Sequence, residues 1–405
     1  MIMSLQETKL KRKEMEKKFK QGKIPFGLDK TTYSRFSEHD NIFSRVGWDE
    51  NFPSHQRSIT EKEGTKCGME GYSREGYAAR AASWTVYDEF YQAFAWEDEK
   101  LEKSPTQLTT NLAKFDAKNL SKNTKIVKRL AKVFGSCATG ITRLDPEHPF
   151  IYTHNRKNES IKLPEGVKYA IVMLIEMDYH ALKTSPTLPA SITTGNAYSR
   201  IAFTIASMAK FLRNMGYRAI PAGNGTGLSV PLAVQAGLGQ FGRNGLLINP
   251  KYGQRVRICK VYTDFPMDID KPVDFGVTEF CRVCKKCAKY CPSQSIPYDD
   301  DPTWKSPYNL VSNNNGSYKW YVNVETCYEY WVKNSSDCSN CMRVCPFTKP
   351  PGFAHDIARF FIKHMPILDP LWLRMDGLMS LFPWWRYGKR EDSKKFWKDK
   401  KYLGK

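Results

Sequence analysis

At roughly 150 residues per domain, a chain of 405 residues has room for two or three domains with substantial cores. Hydrophobic residues at 41%, aromatics at 13% and charged residues at 26% exclude a disordered, collagen-like or integral membrane chain, and there is no run of 18 or more apolar residues to span a bilayer. The net charge of +20 permits nucleic-acid or anionic-membrane binding, but nine basic against four acidic residues fall in 1–30 and nine against three in 386–405, so basic chain ends hold much of the excess.

The first ten residues carry no apolar signal region and no Arg-Arg pair occurs, which reads as a cytoplasmic protein or a processed form. Residues 1–90 are polar, basic and Tyr-rich, with a helical pattern over Tyr77–Phe94 and no assignable chemistry. Residues 116–166 have the polar runs and prolines of a variable insertion. Val167–Met177 has the length and apolar content of a buried central strand. From Gly195 to Met215, Ile201, Ile205, Met208 and Leu212 recur at helical spacing, and Gly216 stands where a C-cap belongs. A short strand at Tyr217–Pro221, a helix near Leu228–Ala236 and strands near Leu246–Ile248 and Arg255–Thr263 follow, an alternation that argues for an α/β layer fold.

Two glycine loops interrupt this stretch. The first is Ala222-Gly-Asn-Gly-Thr-Gly-Leu228, the second Ala236-Gly-Leu-Gly-Gln-Phe-Gly-Arg-Asn-Gly245. Gly237, Gly239 and Gly242 match the dinucleotide fingerprint formally, but that motif needs a strand before it and a helix after it, and here the order is reversed. The loops offer bare backbone N–H and C=O to a large ligand carrying amides and a phosphate, or else serve only as tight turns.

Eight of the 11 cysteines fall in two runs. The first, Cys281-x2-Cys284-x2-Cys287-x3-Cys291-Pro292, has the spacing in which three thiolates hold three corners of a [4Fe–4S] cubane while the fourth, before proline, serves a second cluster. The second, Cys327-x10-Cys338-x2-Cys341-x3-Cys345-Pro346, is the same pattern with its first gap stretched. Crossed ligation assigns Cys281, Cys284, Cys287 and Cys345 to one cluster, and Cys291, Cys327, Cys338 and Cys341 to the other. A pair of zinc sites is the rival, but a three-residue gap ending in Cys-Pro, used twice, is not zinc-ribbon spacing. Cys67, Cys137 and Cys259 have no ligand spacing and read as inert thiols. The segment from Pro366 to Trp397, with Trp372, Trp384 and Trp385, fits core packing, a pocket cover, a dimer face or a membrane interface.

Tyr198, the two glycine loops, the stretch Arg255-Val-Arg-Ile-Cys-Lys-Val-Tyr-Thr-Asp264 and the two cysteine runs, in this order and spacing, resemble the corrinoid reductive dehalogenases of the respiratory type over roughly Val167 to Pro351. The resemblance implies an α/β cobalamin-binding core, nitroreductase-like, followed by a bacterial-ferredoxin-like domain with two [4Fe–4S] clusters. It divides the chain into an N-terminal unit (1–90), the core (91–275), the cluster domain (276–352) and a C-terminal unit (353–405). It implies a base-off corrinoid held by Gly223, Asn224, Gly225, Thr226, Gly227 and Leu228 and by Gly237, Gly239, Gly242, Arg243, Asn244 and Gly245. By the same resemblance Tyr198 donates a proton, Arg257 stabilises the phenolate left behind, and Asn224 orients the pair. Thr194, one turn before Tyr198, reaches the pocket wall if the helix extends that far. The substrate so implied is an organohalide, a small chlorinated alkane or alkene, with an aryl halide equally allowed by the aromatic-rich composition. A small membrane-anchor subunit and an upstream electron donor are the implied partners, with no nucleic acid, a homodimer allowed, and a peripheral location on the outer face of the cytoplasmic membrane.

Asp178-x-His180-x-x-Lys183 only approaches the Asp-x-His-x-x-Gly pattern of corrinoid methyltransferases, so His180 reads as an ordinary strand-end histidine. Two other functions compete with dehalogenation. An epoxyqueuosine reductase-like enzyme shares the core and clusters but resembles this core followed by a helical-repeat tail, and no repeat follows Gly352. A bare electron carrier has no need of Tyr198, Asn224, Arg257 or the glycine loops.

Overall fold

The computed structural model describes residues 27–61, 64–90, 114–145, 147–350, 352–379 and 389–399. At its centre is a four-stranded sheet of β1 (Ala138–Arg143), β2 (Tyr169–Glu176), β3 (Ala219–Ala222) and β6 (Val256–Thr263), in the order β1-β2-β6-β3. β4 (Gln240–Phe241) and β5 (Leu247–Ile248) form a separate hairpin. Every pairing in the central sheet is antiparallel, with Ile175 opposite Arg257 and Met173 opposite Cys259.

β2 is a continuous apolar run because both of its faces are covered. Ile171, Met173 and Ile175 point to one side, where the long helix Leu188–Asn214 lays down Ile201, Ile205, Met208 and Leu212 and the helix Leu120–Val133 adds Val127 and Ala131. Ala170, Val172 and Leu174 point to the other, against Leu232, Ala233 and Val234 of the helix Ser229–Gln235. Full burial of each such aliphatic side chain contributes about 1.5–3 kcal/mol, so this three-layer core is the stable base on which the loops at the strand ends are mounted.

The long helix begins seven residues before the expected Gly195, because Pro189 sits in its first turn, where a missing N–H costs nothing. It ends where expected, with Gly216 left-handed at φ 85°. Gly195 is therefore an interior helical residue with another task. A Cβ there would come within 2.2 Å of Ser83 Oγ and 2.5 Å of Trp84 Cδ1, so its hydrogen lets the helix Arg74–Phe90 lie against the long helix. The helical pattern expected at Tyr77–Phe94 is present to Phe90, and residues 91–94 lie outside the described residues. His180 lies not at a strand end but in a short helix, Tyr179–Lys183, whose N-cap Asp178 accepts from Ala181 N at 2.8 Å. The Asp-x-His spacing is a capping arrangement.

The flanking units pack on this frame and on the cysteine-rich lobe. Buried Arg45 bridges Asp49 and, at 2.7 Å, Glu325 of the helix Val324–Asn334. Ile362 of the helix Phe353–His364 and Trp372 of the helix Asp369–Met379 pack on Val277, Phe280 and Cys281. Trp384 and Trp385 lie outside the described residues.

Candidate active site

Four elements bring one cluster of side chains together at the edge of the core. Tyr198 projects from the long helix, and its Oη accepts a hydrogen bond from Asn224 Nδ2 at 2.8 Å, on the loop after β3. The Arg257 guanidinium, from β6, lies over the Tyr198 ring at 5.3 Å from its centroid. It stands on the ring face rather than at the hydroxyl, and its Nη2 donates to Thr194 Oγ1 at 3.1 Å. Thr194 is thus on the same helix and the same side as Tyr198, one turn earlier, and it holds the arginine. The Arg257 Nε is buried with no partner among the described residues, a donor that a ligand would satisfy.

Two aromatic residues complete this cluster. Trp84 stacks on Tyr198 at 5.0 Å and 21°, and Tyr87 meets it edge-on at 5.2 Å. Ser199 ties the two helices, accepting from Tyr87 N at 3.3 Å and donating to Ser83 O at 2.7 Å. Trp84 and Tyr87 are three apart on one helical face, the spacing that could have singled them out; without Gly195 as the crossing point, nothing told which face it was.

The first glycine loop has an anchored half and an open half. Gly227 is wedged where a Cβ would meet Phe150 O at 2.7 Å and Tyr262 Oη at 2.9 Å. Beneath it Lys260, fully buried, donates to Gly227 O at 3.0 Å and Ser229 Oγ at 2.7 Å. Burial pulls the Lys260 amine down to about 7. Thr226 takes a left-handed φ of 71°, its carbonyl accepting from Tyr152 N, and Leu228 caps the helix Ser229–Gln235. By contrast Gly223 has no atom within 4 Å of its Cβ position, and Asn224 is exposed. Gly225 faces only the Glu38 carboxylate, at 3.6 Å.

The second loop is spent differently. Gly237 packs on Lys271 O and Gly239 on Ile248 O, while Gly242 fits beside Gln254 and accepts no side chain there. Gly242 N donates to Leu246 O and Gly245 N to Gly242 O, which closes the turn between β4 and β5. Its polar side chains, Arg243 and Asn244, face the cysteines. Helix before and strand after, the loop has the reversed order that excludes a dinucleotide fold at this point.

Cys281, Cys284, Cys287 and Cys345 line one enclosed space, together with Arg243 and Phe347. Cys327 lies within electrostatic reach of Cys341, Cys338 and Cys291, so the other four thiols form a second group. The groups abut where Cys287 and Cys341 pack around Cys291. Burial pushes the Cys281 and Cys338 thiols up to about 12 and raises Cys284, Cys287, Cys327, Cys341 and Cys345 as well. Bare thiolates are costly here, and iron bound to them supplies the missing positive charge. Among the described residues, no three His, Cys, Asp or Glu side chains converge closely enough for a single metal ion. Thiols set around a space suit a multi-iron cubane rather than a lone zinc.

Comparison with known proteins bears on both parts. Residues 280–348 match the family model of a 4Fe-4S double cluster binding domain. A tetrachloroethene reductive dehalogenase of Sulfurospirillum multivorans is 32% identical over 366 residues, covering 82% of this chain and 71% of that protein. The chain belongs to the reductive dehalogenases. A tetrachloroethene reductive dehalogenase of Desulfitobacterium hafniense is 50% identical over 204 residues, covering 48% of this chain and 37% of that one. A solved reductive dehalogenase, described in terms of B12-dependent dehalogenation, shares the fold with a TM-score of 0.68 at 23% identity, over 91% of this chain and 48% of its own. The matches thus span about a third to a half of the first curated relatives, 37% and 53%. Within this reductive dehalogenase chain the cysteine-rich lobe carries two [4Fe–4S] clusters, and the α/β core of the family precedes it.

Proposed function

We propose that the chain removes halide from a small organohalide by reduction, with Tyr198 as the proton donor. Replacing a carbon–halogen bond by carbon–hydrogen takes two electrons and one proton and releases one halide ion. A corrinoid bound beside the first glycine loop would supply the strong reductant. The chain's own residues support the rest. The exposed Asn224 and the open space at Gly223 offer polar groups to such a ligand, while the Lys260 contacts keep the loop's far half in place.

The observation that carries the reading is the Tyr198–Asn224–Arg257 contact beside a double-cluster lobe. The Asn224 amide donates to the Tyr198 oxygen, which leaves the phenolic hydrogen free to point at substrate and stabilises the oxygen once that proton has gone. The Arg257 guanidinium, held by Thr194, lies over the same ring, a cation beside the charge that proton donation would leave. Trp84 and Tyr87 cover the Tyr198 ring and offer an apolar wall to a substrate. A chlorinated alkene or alkane fits this wall, in line with the tetrachloroethene-reducing relatives.

By resemblance to the family, the protein would sit at the outer face of the cytoplasmic membrane, served by a small anchor subunit and an upstream electron donor, with a homodimer allowed. No helix among the described residues is long and apolar enough to cross a membrane. The test is chloride release from tetrachloroethene by the chain loaded with corrinoid and reduced by a viologen. Release that depends on both corrinoid and reductant is expected, and its absence from a fully loaded, fully reduced protein offered chlorinated alkenes, alkanes and aryl halides would overturn the proposal.

A further inference from the structure

Arg243 and Asn244 are neighbours on the β4–β5 turn, and they face different cysteine groups. The Arg243 side chain, 1% exposed, donates to Cys281 O at 2.7 Å, Pro297 O at 2.9 Å and Asp299 O at 2.5 Å. Its guanidinium lies over Trp320 at 4.6 Å and borders the space lined by Cys281, Cys284, Cys287 and Cys345. These acceptors are backbone carbonyls; among the described residues no carboxylate forms an ion pair with Arg243, and the nearby Asp300 is itself paired with Lys285. Lys286 and Lys349 stand near Cys284 and Cys345, and Asp376 pairs with both, neutralising one of the two. Asn244 is uncharged. It exchanges hydrogen bonds with Gln254 at 3.0 and 2.7 Å, and its amide stands beside the Cys341 thiol. Asp369 stands near Cys281, its carboxyl pushed up to about 7 by burial, while at the second group Arg343 beside Cys338 is offset by Asp337, so the balance of charge is more positive around the first.

A cluster gains one negative charge on reduction, and a nearby cation or a hydrogen bond to its sulfur favours that state. We propose that this turn sets the two clusters' reduction potentials apart. Arg243 raises that of the cluster on Cys281, Cys284, Cys287 and Cys345. Asn244 raises, by a smaller amount, that of the cluster on Cys291, Cys327, Cys338 and Cys341. The first cluster is then the easier of the two to reduce. In this inference Arg243 and Asn244 are positioning residues for electron transfer, and the second glycine loop works for the clusters. It rests on the reading of the eight cysteines as two cluster sites.

The experiment is a redox titration of the full chain, purified without oxygen and followed by electron paramagnetic resonance, with iron counted first. About eight iron atoms per chain establish the clusters; a parent protein without them defeats the cluster reading itself. With iron retained, Arg243→Gln is expected to move one of two midpoints to more negative potential and leave the other in place. Lys349→Gln should move that same midpoint in the same direction, and Asn244→Ala the other one, by less. Full iron with unmoved midpoints, or Arg243→Gln and Asn244→Ala acting on the same transition, would overturn the proposal. Should Arg243→Gln lose iron, Lys349→Gln decides by the same sign.

Discussion

Tyr198 can deliver a proton only if its hydroxyl is held, and the single polar contact that holds it comes from Asn224 at 2.8 Å. In Tyr198→Phe the ring should still stack on Trp84, so the expected variant keeps its iron and corrinoid while turnover falls about 10²–10⁴-fold, the usual loss of a positioned general acid. Arg257→Lys keeps a charge but loses the planar fork that spans ring face and Thr194, so a smaller loss in the same assay is expected. Lys260 offers a test of a different kind. Its amine is held near 7 in the folded chain against about 10.4 when unfolded, so between these values the unfolded chain binds a proton that the folded chain has shed. Stability attributable to this residue therefore rises with pH from about 7 to 10, at no more than about 1.4 kcal/mol per pH unit. In Lys260→Met that part of the slope should vanish from denaturant midpoints measured at pH 7 and 9. The motif order pointed to Tyr198, Asn224 and Arg257 and helical spacing to Thr194, and the structure brings these four side chains together. Trp84, Tyr87 and Lys260 were not, because a helix crossing and a buried cation under a loop are facts of tertiary packing.

The strand and helix pattern was readable at the level of elements because burial enforces it. The apolar run of β2 and the 3.6-residue spacing along the long helix each have a single stable orientation against the sheet. What escaped was the start of that helix and the use of the second glycine loop. The helix starts at an N-cap, Thr187, that makes no side-chain capping hydrogen bond, leaving Pro189 as its main marker, and a Gly-rich turn looks alike whether it cradles a ligand or packs on backbone carbonyls. The cysteine runs were more explicit, since spacing alone proposed the crossing, and the thiols that line the first space come from both runs. Cys345→Ala should accordingly damage the cluster held by Cys281, Cys284 and Cys287 while leaving the other signal. Loss of the opposite cluster, followed by paramagnetic resonance and iron count, would contradict crossed ligation.

At the scale of the whole molecule, the charge of +20 and the double-cluster lobe together leave one choice open to direct test. Nine basic residues fall in 1–30 and nine in 386–405, toward the ends of the chain. Affinity for transfer RNA or duplex DNA at physiological salt is therefore expected to be negligible, and tight binding with a steep salt dependence in a filter or fluorescence assay would count against dehalogenation. The N-terminal and C-terminal units were the least legible parts, because much of their packing is against other units: Ile42 and Phe52 with Tyr328 and Val332, Trp372 beside Cys281. The most direct measurement of the central claim is metal analysis of the chain purified without oxygen from cells supplied with corrinoid. About eight iron atoms and one cobalt per chain are expected, and eight iron atoms without cobalt would contradict the account.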